Sequence, residues 1–216
     1  MKLKIKIPNS LEDITLSQYK RYLNIEEQTK NPRLLNAKML EIFCNIKLED
    51  VMRLKLSDTE EIVNIINKMF EEKPNLIKHF NINNTEFGFH PKLDDLSLGE
   101  YIDLDTYIGD WENMERAMNV LYRPVVAKVK EKYSIVDYNT ELNPSIMHMP
   151  MSAVLSSIFF LWNLGLDLST LMTNSLEINQ REVLMEHLTS QENGVGINQF
   201  MGSLKEILQD LKVSLN

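Results

Sequence analysis

Between residues 94 and 115 the chain gathers its densest set of groups that could do chemistry: Asp94, Asp95, Glu100, Asp103, Asp105, Asp110, Glu112 and Glu115. Clustered carboxylates can hold a hard cation through oxygen ligands, and His90 nearby could act with them as an acid–base pair. The spacing argues against both. The calcium-loop pattern with its central Gly is absent, and most of the carboxylates fall on predicted helices. There, acids in a first turn favour the helix dipole and the others face water. The four histidines, His79, His90, His148 and His187, lack the HExxH spacing that puts two metal ligands on one helix face. A nucleophile elbow GxSxG, a phosphate loop GxxxxGK and a dinucleotide fingerprint GxGxxG are missing; Gly194, Val195 and Gly196 supply only a GxG fragment. Cys44 is the only cysteine, so no intramolecular disulfide or Cys-rich zinc site can form, and its neighbours Leu40, Ile42 and Phe43 favour an inert buried thiol. The sequence therefore predicts no catalytic residue, no metal, no cofactor and no small-molecule substrate. A dispersed active site built on Asp94 to Asp110 with His90 is the enzymatic alternative.

What is left is an interaction profile. Basic residues number 23 against 31 acidic, a net charge of -8 that repels a phosphate backbone. The best basic cluster, Lys128, Lys130 and Lys132 with Arg123 nearby, is interleaved with Glu131 and reads as a solvated helix face, so no nucleic-acid partner is expected. Tyr107, Trp111, Tyr122 and Arg123 are of the types enriched at binding hot spots. A terminal amphipathic helix carries Ile197, Phe200, Met201, Leu204, Leu208 and Leu211 at three- and four-residue steps. These ten are the candidate partner-binding residues, and each has a core reading beside the contact reading. The twelve methionines suit adaptable surfaces or serve as gap-fillers in a core.

The elements that would position these residues are mainly helical: one domain spanning 1–216, with an N-terminal strand, a small β-hairpin and a possible hinge near 133–150 before a C-terminal helical pair. Lys2 to Ile7 alternates lysines with Leu3, Ile5 and Ile7, the period of a strand. Ile82, Asn83, Asn84, Phe87 and Phe89 resemble a hairpin. Thr15 with Gln18, Ser57 with Glu60 and Ser97 with Glu100 fit the capping box and predict three helix starts. A fourth helix spans Leu34 to Asn45, and Trp111 to Leu121 continues helical until Pro124. The apolar Met151 to Leu166, behind Pro150, is shorter than the ~20 residues a membrane span requires. It reads as a core helix lasting to about Asn174. The N-terminus lacks the pattern of a secretory signal.

Three stretches carry a resemblance: KIKIPNSLEDITLSQYKRYL, FGFHPKLDDLSLGEYIDLDTYIGDWENMERAMNVLYRP and GVGINQFMGSLKEIL. They are similar to a group of small proteins encoded in the structural gene clusters of tailed bacteriophages. The resemblance implies a non-enzymatic protein made in the host cytoplasm during virion assembly, with other phage structural proteins as partners and homo-oligomerisation possible. Within that role it implies either a tail assembly chaperone or a connector subunit of the neck or tail that stays in the virion. A cytosolic helical adaptor unrelated to viruses is the blander alternative.

Overall fold

The computed structural model of the chain describes residues 5–175 and 196–210. It is mainly helical, with one four-stranded antiparallel sheet in the order β1-β2-β3-β4. The helices are α1 (Leu16–Gln28), α2 (Pro32–Phe43), α3 (Leu48–Val51), α4 (Leu56–Phe70), α5 (Leu98–Tyr107), α6 (Met114–Leu121), α7 (Met151–Ser175) and α8 (Gly196–Asp210). The strands are β1 (His79–Ile82), β2 (Thr85–Phe89), β3 (Tyr122–Val129) and β4 (Lys132–Ile135).

Two of the three predicted capping boxes form. Thr15 opens α1 and Ser97 opens α5, each side chain accepting from the backbone N–H three residues on while Gln18 or Glu100 reaches back. The third does not. Helix α4 begins at Leu56 behind Lys55, so Ser57 already lies inside the first turn and its hydroxyl bonds to Asp58 Oδ1 at 3.0 Å.

The hairpin falls where the Asn83–Asn84 pair predicts it, and both asparagines have positive φ, 47° and 66°. Among the described residues its further sheet partner is β3 and not the N-terminal segment. Phe87, Gly88 and Phe89 pair with Pro124, Arg123 and Tyr122 of β3. The described part of the predicted N-terminal strand, Ile5 to Ile7, joins no ladder; Ile5 and Ile7 pack against the core as side chains, which accounts for their alternation without a strand. Lys2 and Leu3 lie outside the described residues.

Strands β3 and β4 also replace the helix face predicted for Lys128 to Lys132. Pro124 stops α6 from continuing, and the β-branched Val125, Val126 and Val129 favour an extended chain. Lys130 takes the positive φ of 56° at the two-residue turn.

Helix α7 is the centre of the core. Every residue from Met151 to Phe159 is buried, although Met151–Leu168 is long and apolar enough by composition to cross a membrane. The stretch predicted as a hinge contains β4 and a 3-10 turn at Pro144–His148, then is stitched to the start of α1: Leu16 N–H donates to Met149 O (3.0 Å) and Met151 N–H to Ile14 O (2.8 Å). Helix α8 lies on α7, with Leu204, Ile207 and Leu208 buried and Met201 filling the space that the missing Cβ of Gly165 leaves.

Candidate partner-binding surfaces

The most concentrated buried chemistry sits where α5 meets the sheet. Glu100 is the third residue of α5, and its Oε2 accepts from Ser97 N–H at 2.8 Å as part of the cap. The other oxygen accepts from Arg123 Nη2 at 2.6 Å. Arg123 reaches it from β3, with its guanidinium 5.8 Å from the centre of the Tyr138 ring. His90 closes the group, its Nε2 lying 3.7 Å from Glu100 Oε1 and its Nδ1 accepting from Lys92 N–H. The side chains of His90, Glu100 and Arg123 are 9%, 7% and 8% exposed.

Burial works to raise the Glu100 carboxyl, but the Ser97 hydrogen bonds, then Arg123 and His90, outweigh it and hold the group below its usual value. Burial, then the charge of Arg123, lowers His90, which favours the neutral imidazole. Tyr138 donates to Asp103, and burial first and that bond second push its hydroxyl well above the usual range. A cleft of about 410 Å³ opens beside these groups, bounded by Pro91, Ser97 and the 133–138 segment. The carboxylate is fully engaged by cap and guanidinium, so the arrangement fastens α5 to the sheet.

A second concavity, about 650 Å³, lies between α1 and the turn before α6. Leu23 and Trp111 supply its apolar wall, and Asn24, Glu26, Glu27, Glu112 and Asn113 its polar rim. Trp111 is held edge-on by Tyr19, ring centres 4.8 Å apart, and its indole N–H has no acceptor among the described residues. Lys20 is tied to the Glu112 carbonyl and the Glu115 carboxylate. Half-buried on α1, Tyr22 is pushed up to about 12, by desolvation first and by the charge of Glu26 second.

The ten predicted contact residues do not converge on one surface. Tyr122 is fully buried, its hydroxyl donating to Ile77 O at 2.7 Å and reaching Ala153 O at 3.3 Å. Arg123 is 7% exposed and spends its charge on Glu100. Leu204 and Leu208 are buried against α7, so for these four the core reading replaces the contact reading. Phe200 and Met201 are half-buried against the same core. Ile197 lies in α8, where no side-chain environment is described, and Leu211 is outside the described residues. Trp111 and Tyr107 keep partial exposure, Trp111 in the groove and Tyr107 under the guanidinium of Arg116 at 5.4 Å.

No protein-family model, curated protein or solved structure matches the chain.

Two surfaces escape the sequence reading. Leu98, Tyr101 and Ile102 form an outward stripe on α5, 75%, 44% and 51% exposed, while Glu100, Leu104 and Ile108 take the inner face. With apolar residues on both faces, periodicity alone cannot say which side is buried. The β3–β4 hairpin carries exposed Val126 and Val129; its signal was the β-branched run around Lys128. The acidic set at 94–115 does not gather: among the described residues no three His, Cys, Asp or Glu side chains are grouped to hold a metal ion.

Proposed function

We propose that the chain is a protein-binding factor of tailed-bacteriophage virion assembly, working as a tail assembly chaperone through the outer face of α5. The observation that carries the binding role is the stripe Leu98, Tyr101 and Ile102. Three large apolar side chains at i, i+3 and i+4 stand in solvent on a helix whose inner face is pinned by a buried ion pair. Such a stripe has the spacing by which a helix meets an apolar groove, and contiguous exposed apolar surface marks interaction sites. The phage context comes from the three similar stretches of sequence, the second of which contains all of α5.

Co-expression and co-purification with tailed-phage tail proteins tests the reading. Leu98→Ser with Ile102→Ser should leave thermal stability nearly unchanged and abolish capture of the client. Full capture by this variant would remove the role of α5. The connector reading keeps one observation in its favour, the exposed turn of the β3–β4 hairpin with Val126 and Val129. Mass spectrometry of purified particles separates the two: a chaperone is absent, a connector present at stoichiometric level.

A further inference from the structure

Only Tyr122–Pro124 of β3 pair with β2; past the irregularity between Val125 and Ala127 the β3–β4 ribbon lies against the β1–β2 hairpin through Tyr133 on Gly88 and His79, and Lys128 on Glu86, and presents its turn as a two-stranded arm. Residues 126–132 are all exposed, Val126 and Val129 at 62% and 72%. The tip is basic on a chain of net charge -8: Lys128, Lys130 and Lys132 outnumber Glu131. Lys128 is paired with Glu86 at 2.6 Å, whereas Lys130 and Lys132 have no ion pair among the described residues. A two-stranded ribbon of this kind is marginal in water by itself, and its outer strand leaves backbone groups free to pair.

The Trp111 groove is complementary in each respect. It is concave where the arm presents an exposed turn, and about 650 Å³ is within the ~300–1,000 Å³ typical of binding pockets. It offers Leu23 and Trp111 to apolar side chains. Glu26, Glu27 and Glu112 are exposed with no ion pair among the described residues, and the groove's lysine, Lys20, is already engaged by Glu115. Groove and arm are built on different elements and share no residue.

We propose that the Val129–Lys132 tip of one copy of this chain seats in the Trp111 groove of a second copy, Lys130 and Lys132 meeting Glu26, Glu27 and Glu112. Two different patches on each copy make a head-to-tail contact, which closes into a ring or continues as a chain. The contact stands apart from the assembly role above and needs only the arm and the groove.

Light scattering after size-exclusion chromatography of the full chain, at low and high ionic strength, reads it directly. The expected result is a mass that rises with protein concentration at low salt and returns toward monomer at high salt, since exposed charge pairs are screened. Lys130→Glu with Lys132→Glu, and separately Glu26→Lys with Glu27→Lys, change exposed unpaired side chains and should each weaken self-association at least tenfold. Mixed together, the two variants should co-assemble in 1:1 stoichiometry, because the reversed arm fits the reversed groove and the unchanged arm of one fits the unchanged groove of the other. A wild-type chain that stays monomeric at low salt overturns the proposal. So does undiminished self-association of either variant, or a mixture that does not pair; both would assign the arm or the groove to another occupant.

Discussion

Along α7 the buried hydroxyls of Ser156 and Ser157 bond within their own helix, whereas at the junction of α5 and β3 the buried polar groups are charges joined across 23 residues of sequence. Ser156 and Ser157 donate to Ala153 O and Val154 O one turn back, so α7 can enter the core with few demands on its neighbours. Glu100 and Arg123 satisfy each other only when α5 and β3 stand in one arrangement. A buried pair of this kind adds little net stability over an apolar replacement, but removal of either partner leaves an uncompensated charge. Hydroxyls thus make α7 tolerant of its surroundings, and the ion pair makes the placement of α5 specific.

That contrast can be broken most severely at the ion pair. Glu100→Ala or Arg123→Ala should cost about 3–5 kcal/mol in urea denaturation, while Glu100→Leu combined with Arg123→Met should recover most of the loss. If the double variant is as unstable as the single ones, the specificity argument fails. Ser156 comes next, because it is the exception on α7. Its hydroxyl also accepts from Ile77 N–H at 3.1 Å, so Ser156→Ala strands a backbone donor and should cost about 1–3 kcal/mol.

Acid sharpens the comparison without mutation. His90 is held below its ordinary value in the fold, so the unfolded chain takes up the proton first as pH falls. Stability should therefore decline as pH drops below about 6.5, the ordinary histidine value. His79, lowered by burial and by Lys128, adds in the same direction. The Glu100 contribution is complete above the ordinary carboxylate range and is lost only as pH falls through its lowered value. Melting temperatures measured from pH 7.5 downwards should fall, and His90→Gln should flatten the first part of the fall. The smallest effect belongs to Ser157→Ala, expected within about 0.5 kcal/mol of wild type, since its hydroxyl donates to Val154 O of its own helix and its neighbour Tyr122 keeps the bond to Ile77 O without it.

The helices were legible because their signals are local. Thr15 with Gln18 and Ser97 with Glu100 announce helix starts within four residues, and the apolar run behind Pro150 announces α7. Strand pairing is not local: nothing near Phe87 indicates that Pro124 lies opposite, and the same lysines at 128, 130 and 132 suit a helix face or a hairpin tip. The contact surfaces suffered from a related ambiguity. Tyr122 and Arg123 have the composition of a hot spot and the position of a core, and only the chain folding over them decides. Glu100 was visible as a cap, but its second oxygen had a partner that no spacing rule reaches.

Gly88 gives the arm its mechanical character. A Cβ at this position would stand 2.7 Å from Tyr133 Cε2 and 3.0 Å from Val125 Cγ2. Its absence leaves room for the ring of Tyr133 to pass over Gly88 and donate its hydroxyl to Phe89 O at 2.5 Å. Tyr133 is thus the clamp of a cantilever whose free end is the 129–132 turn. Lys128 on Glu86 and the Tyr133 ring against His79 share that clamp, so the turn is fastened to the β1–β2 hairpin at several points before β3 reaches Tyr122 and the core.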